Sequence, residues 1–239
     1  MSKKVHFYFC FAFFLMLTIV HSVCADHDDD QRKWAFNYVY KNNNVWKGTE
    51  SVSGPGSTDE STHTLRWLLP GIIKALNAHT MIDAGCGDLY WIKNTRLGID
   101  YYIGIDIVED LIAQNKRNFK ADWIEFFCCD IVKDRLSRVD LIFCRDCLQH
   151  LSYKDAQLAI NNFKDSGSQY LLTTHYFNLK ANDLDIKSGN FHIIHLMKEP
   201  FNFPEPLISF DELSAESDML TYRKRMCVWR LSDVPQQKV

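Results

Sequence analysis

Five short apolar runs, none longer than a strand requires, alternate with helical or polar stretches through the middle of the chain, at residues 79–84, 101–106, 123–129, 139–144 and 169–174. No other feature restricts the fold so much. Residues 108–118 and 153–164 are the clearest helical segments between them. Residues 58–78 form a predicted helix ahead of them, because Leu65, Leu68, Leu69, Ile72, Ile73 and Leu76 recur at three and four, with Pro70 marking a break or kink. Strands that are apolar throughout and separated by helices belong to a parallel sheet covered on both faces, with right-handed crossovers. Two later runs, 207–210 and 226–231, follow one another with little helix between them and read as an antiparallel pair closing one sheet edge. The predicted fold is α/β and doubly wound: a mostly parallel seven-stranded sheet with an antiparallel last strand and helices on both faces.

The 239 residues, 46% hydrophobic and 24% charged, suit one domain with a full core, and no repeat or low-complexity linker divides them. Residues 1–25 read as a secretory signal: Lys3 and Lys4 precede an apolar run over 5–20, and Val23-Cys24-Ala25 offers a cleavage point. The alternative is an uncleaved signal anchor, since about 20 residues span a bilayer. Either way a secreted or lumenal location is expected, with membrane contact only through an uncleaved leader. A polar segment at 26–45, the main domain at 46–231 and a tail at 232–239 complete the organisation. Loss of the leader removes two lysines and no acids, taking the formal charge from −3 to −5. Such a surface repels polyanions, and Arg223-Lys224-Arg225 alone is too small a basic run for a nucleic-acid partner. The acidic run Asp28-Asp29-Asp30 reads as a solvated terminus, and no metal site is read anywhere. Six cysteines follow the leader, an even count that invites disulfides. Most of them fall in apolar runs, where cysteine acts as a small hydrophobe.

Open sheets of this kind bind ligands beyond the carboxyl ends of their strands, so the strand-terminal residues carry the function. The first strand ends in Asp83-Ala84-Gly85-Cys86-Gly87-Asp88, in which two glycines let the backbone turn and approach a ligand closely. The second ends in Asp106, 21 residues after Gly85, where a carboxylate can accept from both ribose hydroxyls. Asp106 can equally cap the following helix. The third ends in Asp130-Ile131, an acid for an exocyclic amine beside an apolar residue for a ring face, or else a turn aspartate. Together the three acids point to a nucleoside cofactor.

These residues resemble the class I S-adenosylmethionine-dependent methyltransferases, over roughly residues 46–231, with 53–57 (Ser-Gly-Pro-Gly-Ser) similar to a branch carrying a Ser-Gly-rich segment before the sheet. The resemblance implies S-adenosylmethionine as cofactor, with Asp83, Gly85 and Gly87 around its methionine part, Asp106 and Ile107 at the ribose, and Asp130 and Ile131 at the adenine. Asp88 departs from the pattern, standing where many members have a third glycine. It also counts against a nicotinamide dinucleotide, whose pyrophosphate a carboxylate at a helix N-terminus would repel. Arg66 can pair with the cofactor carboxylate as a bidentate fork, or simply face solvent. Ser57 belongs to a loop able to fold over the ligand.

Methyl transfer is an in-line displacement that needs alignment, and a base only where the acceptor loses a proton. The fourth strand delivers Cys144 and Arg145 to the border of the cofactor, and Asp146 and His150 beyond it as the catalytic candidates. His150 titrates in the right range for a base, although it can also cap or pack at the next helix. Asp146 can instead hold Arg145. His175 and Tyr176 are weaker candidates. The connection 178–206, with His192, His195, Phe201 and Phe203, is expected to shape the acceptor pocket. No Asn-Pro-Pro-Tyr or Asp-Pro-Pro-Tyr run follows the fourth strand, which by resemblance lowers amide and nucleobase nitrogens as acceptors. The expected partner is a small-molecule substrate, with a protein side chain as the alternative. Two rival functions stand beside this one: a cofactor-binding scaffold without catalysis, and a thiol-disulfide oxidoreductase using Cys144-Arg145-Asp146-Cys147.

Overall fold

The computed structural model describes residues 27–42, 50–212 and 223–239. The leader at 1–25 and the stretch 213–222 between the last two strands lie outside the described residues. The elements run α1 His27–Lys41, α2 His63–Ala75, β1 Thr80–Ala84, β2 Tyr101–Asp106, α3 Glu109–Asn118, β3 Ile124–Cys128, β4 Leu141–Cys144, α4 Tyr153–Asp165, β5 Tyr170–Tyr176, β6 Ile208–Asp211 and β7 Lys224–Arg230. All seven strands join one sheet in the order β3-β2-β1-β4-β5-β7-β6. The five strands from β1 to β5 pair in parallel, and β7 is antiparallel to both β5 and β6. This is the doubly wound α/β sheet expected from the sequence, closed by its antiparallel strand.

Alternation along the strands divides the core between two faces. Ile82, Ile142, Leu171 and Trp229 point to the layer that holds Ala156, Ala159, Ile160 and Phe163 of α4. Met81, Leu141, Phe143 and Leu172 point to the layer built on Leu65, Leu69, Ile72 and Ile73 of α2. Because every second residue faces each layer, a strand buried on both sides has few polar positions to spare, as in β4 with Leu141 to Cys144, whereas β3 at the sheet edge keeps Glu125 exposed. Each large side chain removed from water here contributes about 1.5–3 kcal/mol. That burial also explains α2, which continues through Pro70 where a break or kink was expected. Proline denies the Arg66 carbonyl its helical donor, but four buried side chains on the same helix hold it to the sheet.

The chain winds outward from β1 through β2 to β3, then crosses back to place β4 on the other side of β1. Strand order therefore reverses between β1 and β4, and the crevice beyond their carboxyl ends is the ligand position in sheets of this kind. The polar segment at 26–45 contains a helix, α1, with Arg32 and Val39 buried beneath it. The tail also packs: Asn161 on α4 exchanges hydrogen bonds with the Gln237 backbone at 3.0 and 2.7 Å.

Candidate active site

The loop after β1 is shaped by three surrounding groups. Gly85 and Gly87 have φ of 79° and 57°, in the left-handed region that side chains resist. A Cβ on Gly87 would lie 2.2 Å from Ser53 Oγ, so glycine is required there by space as well as by dihedral. The Gly87 amide donates to Asp106 Oδ2 at 3.1 Å, its carbonyl accepts from Asn115 Nδ2 at 2.8 Å, and the Val108 amide donates to Asp106 Oδ1 at 3.0 Å. Asp106 thus ties the ends of β1 and β2 together, and burial raises its pKa. Asp83 is buried as well and accepts from Tyr102 Oη at 2.5 Å. Loss of hydration pushes its carboxyl up to about 7.

Asp88 also borders the cleft, with its carboxylate engaged by the Ser-Gly segment. Its carboxylate accepts from Ser51 Oγ at 2.8 Å, from the Val52 amide at 3.0 Å and from the Tyr90 amide at 3.1 Å. The acid that departs from the family pattern fastens the Ser-Gly segment over the sheet. Gly56 in that segment accepts, through its carbonyl, from Arg145 Nη2 at 2.7 Å.

At the end of β3, Asp130 is engaged by a residue that sequence reasoning left unassigned. Arg32 on α1 donates to both carboxylate oxygens, Nε to Oδ2 at 3.0 Å and Nη2 to Oδ2 at 2.7 Å, with a longer Nε contact of 3.3 Å to Oδ1. Its Nη1 stands 3.2 Å from Asp155 of α4. Both members of the fork are almost fully buried, Arg32 at 3% and Asp130 at 7% exposure, so neither is a screened surface ion. Four and eight residues on, Phe36 and Tyr40 line the same cleft as Arg32. That i, i+4, i+8 spacing is the one sequence signal that could have revealed a face of α1.

Beyond β4, Arg145, Asp146, Glu212 and Lys224 form a buried charge network. Arg145 Nε meets Glu212 Oε1 at 2.6 Å and its Nη1 meets Asp146 Oδ2 at 3.2 Å. Lys224 Nζ reaches Asp146 Oδ2 at 2.5 Å and Glu212 Oε2 at 3.1 Å. Although burial opposes its charge, the guanidinium and ammonium beside Asp146 hold its carboxyl below the usual range. His150 follows on a short 3-10 turn, its Nδ1 2.8 Å from the Asn190 carbonyl oxygen. A carbonyl can only accept, so Nδ1 carries the proton and Nε2 the basic lone pair. Burial lowers the pKa of His150 and keeps it neutral at physiological pH.

These groups surround one cleft open to solvent, where sheets of this kind take a ligand. Ser57, Asp83, Gly85, Gly87, Asp106, Ile107, Asp130, Ile131, Arg145, Asp146 and His150 all line it. Arg66 does not line it: its Nη2 donates to the Asp59 carbonyl at 2.8 Å, a partner from the turn preceding its own helix. Cys144 is also outside, because alternation on β4 turns it into the α4 layer, and Cys147 lines the cleft in its place. The connection 178–206 lends the cleft lining no side chain; Ile194, Leu196, Phe201 and Phe203 fold back into the α4 layer. It touches the site at His150, through the Gly189 amide, the Asn190 carbonyl and the Phe191 ring, whose centroid is 5.7 Å from that of the imidazole. His175 and Tyr176 are buried away from the lining, and burial pushes His175 down to about 3. All six described cysteines are free. Cys147 lies against the Cys144 thiol, which together with burial raises it well above the usual thiol value, the opposite of the acidic thiol on which disulfide exchange depends.

A family model described as a methyltransferase domain matches residues 81–166, from β1 to the end of α4. By that match residues 81–166 form a methyltransferase domain. The fold of the chain recurs in magnesium protoporphyrin IX methyltransferase from Synechocystis with bound SAM, at 15% identity, TM-score 0.53, and coverage of 88% of this chain and 99% of that one. N-methyltransferase NodS from Bradyrhizobium japonicum in complex with S-adenosyl-L-homocysteine is similar at 12% identity and TM-score 0.57, covering 80% and 97%. The Burkholderia thailandensis 1,6-didemethyltoxoflavin-N1-methyltransferase, with that compound and S-adenosylhomocysteine bound, gives 14% identity and TM-score 0.57, covering 88% and 92%. At such identities the likeness is one of fold. No curated protein matches the chain. In this methyltransferase domain the cleft falls at the strand ends inside and just beside the matched segment.

Proposed function

We propose that the protein transfers a methyl group from S-adenosylmethionine to a small, largely apolar acceptor whose oxygen or nitrogen gives up a proton to His150. The donor is the firmer half: the family match and the structural neighbours bound to this cofactor or its product agree on it, and the residues fit. The cradle at Gly85 and Gly87 admits no Cβ, and the buried Asp83 and half-buried Asp106 stand beside it at the cleft. S-adenosylmethionine, when bound, supplies an electrophilic methyl carbon on a sulfonium. The chain's own residues do the rest. Asp83, Asp106 and the glycine loop orient the ligand, and Phe36, Tyr40, Tyr90 and Trp91 give the cleft an apolar wall that excludes water.

The single observation carrying the acceptor chemistry is the His150 Nδ1 contact with the Asn190 carbonyl, which puts the ring's lone pair on Nε2 in a residue that lines the cleft. His150 Nε2 would take the acceptor proton as the acceptor lone pair bonds to the methyl carbon, while the carbon–sulfur bond breaks and its electron pair leaves on the neutral thioether product. Asp146 fits that step poorly as a base, being ionised and bound by Lys224 and Arg145; it serves to stabilise the imidazolium formed on His150. A small acceptor is favoured because α1 and the Ser-Gly segment both border the cleft and narrow its approach. Two neighbours are named for small-molecule substrates, magnesium protoporphyrin IX and 1,6-didemethyltoxoflavin. Incubation of the purified protein with methyl-labelled S-adenosylmethionine and fractionated cell extract tests the reading. Label is expected in the low-mass fraction, and label confined to protein would replace a small acceptor by a side chain. If the leader acts as read, the enzyme works in a secretory lumen, and terminal sequencing of the mature protein checks it.

A further inference from the structure

Asp130 cannot serve an adenine amine unchanged, because the Arg32 fork already occupies it. Asp130 Oδ1 also accepts from the Val132 amide at 3.0 Å, so an incoming amine must share or take an oxygen that Arg32 now holds. Arg32 is also joined to the catalytic end. Its Nη1 pairs with Asp155 Oδ1, and Asp155 Oδ2 accepts from Ser188 Oγ at 2.5 Å. Ser188 Oγ in turn accepts from the Ser152 amide at 2.9 Å, at the cap of α4. The next residue, Gly189, packs against α1: a Cβ there would lie 2.6 Å from Ala35 Cβ, and φ is 99°. The Gly189 amide donates to the His150 carbonyl at 2.7 Å, and the Asn190 carbonyl accepts from His150 Nδ1. A set of contacts therefore runs from the buried Asp130–Arg32 pair through Asp155 and Ser188 to the more exposed Asn190–His150 contact.

We propose that α1 is a positioning element of this enzyme and that Arg32 transmits occupancy of the nucleobase end of the cleft to the loop that orients His150. The proposal rests on the S-adenosylmethionine reading above. When an amine claims part of Asp130, Arg32 keeps Asp155 through Nη1, and the balance of its bonds moves toward α4 and Ser188. Packed contacts with two arrangements transmit such a change; continuous deformation does not. A merely structural ion pair would lower stability when cut, but it would leave the response of His150 to ligand untouched.

The test reads His150 itself. In protein carrying isotope-labelled histidine, with the His150 signal assigned by its loss in His150→Gln, the titration midpoint is measured with and without S-adenosylhomocysteine. Among the described residues, Asp146, His192 and Lys224 are charged or titratable groups acting on His150, and all three stay in place in every variant. The native protein is expected to show a midpoint displaced by about half a pH unit or more on ligand binding. Arg32→Lys, which can pair with one acid but not span two, and Asp155→Asn are each expected to bind the ligand by calorimetry yet lose most of that displacement. An equal displacement in both variants, or none in the native protein, overturns the proposal. Failure of the native protein to bind S-adenosylhomocysteine at all is a different result, and it would sink the cofactor reading together with the proposal.

Discussion

Asp83 makes cofactor affinity depend on pH in a direction fixed by its surroundings. In the free protein burial pushes its carboxyl to about 7, opposed by the Tyr102 hydroxyl, raised further by Asp106 and lowered by Arg145. Its folded pKa exceeds the unfolded value near 3.9, so the folded state binds more protons between about pH 4 and 7. Stability of the free protein therefore falls as pH rises through that window. A cationic ligand group beside Asp83, as the family resemblance places the methionine ammonium, reverses the preference by favouring the carboxylate. If binding requires the ionised form, the association constant scales as 1/(1 + 10^(pKa − pH)), which tightens binding about eightfold from pH 6 to 7.5, or about 1.3 kcal/mol. The window stops at about 7.5 because an α-amino group itself loses its proton near 8. Calorimetry of S-adenosylhomocysteine binding at several pH values, repeated in buffers of different ionisation enthalpy, should show this slope and the release of about half a proton at pH 7. Asp83→Asn should flatten both. A flat native profile, or an unchanged slope in Asp83→Asn, would refute the reasoning.

Asp106→Ala should weaken S-adenosylhomocysteine binding by about 1.5–3 kcal/mol, the range for hydrogen bonds to a charged group, and unchanged affinity would remove Asp106 from the ribose role. Gly87→Ala should destabilise the fold by about 2–5 kcal/mol in denaturant unfolding, from the left-handed backbone and the collision with Ser53; Ser53→Gly in the same chain should restore part of the loss. His150→Gln should slow single-turnover methylation by about 10²–10⁴ while leaving cofactor affinity within twofold or so of native, and undiminished turnover would show that the acceptor needs no base.

The parts of the site that could be read from the sequence are those built on local order. The acids Asp83, Asp106 and Asp130 sit at strand ends because a strand must stop where its polar residues begin, and the parallel order of β1, β2 and β3 brings those ends to one edge. Cys144 was misplaced by one step of the same logic, since two-residue alternation on β4 sends it into the core while Phe143 and Arg145 border the cleft. Asp88 was read correctly as a departure but without its partners, which lie 35 to 37 residues earlier in the Ser-Gly segment. The connection 178–206 looked like a pocket wall on composition, yet Phe201 and Phe203 serve the core, and it reaches His150 through the Gly189 amide, the Asn190 carbonyl and the Phe191 ring.

The sequence by itself determined the doubly wound sheet, its two helical layers, the glycine cradle and the row of strand-end acids, because periodicity and turn chemistry are properties of neighbouring residues. Only the tertiary structure decided which charges meet. Arg32 and Asp130 are 98 residues apart, and Arg145 and Glu212 are 67 apart. No local preference brings such pairs together; they are selected when the packed sheet and α1 exclude water and leave each buried charge opposite charges within reach. That selection turned a polar N-terminal segment into one side of the methyltransferase cleft.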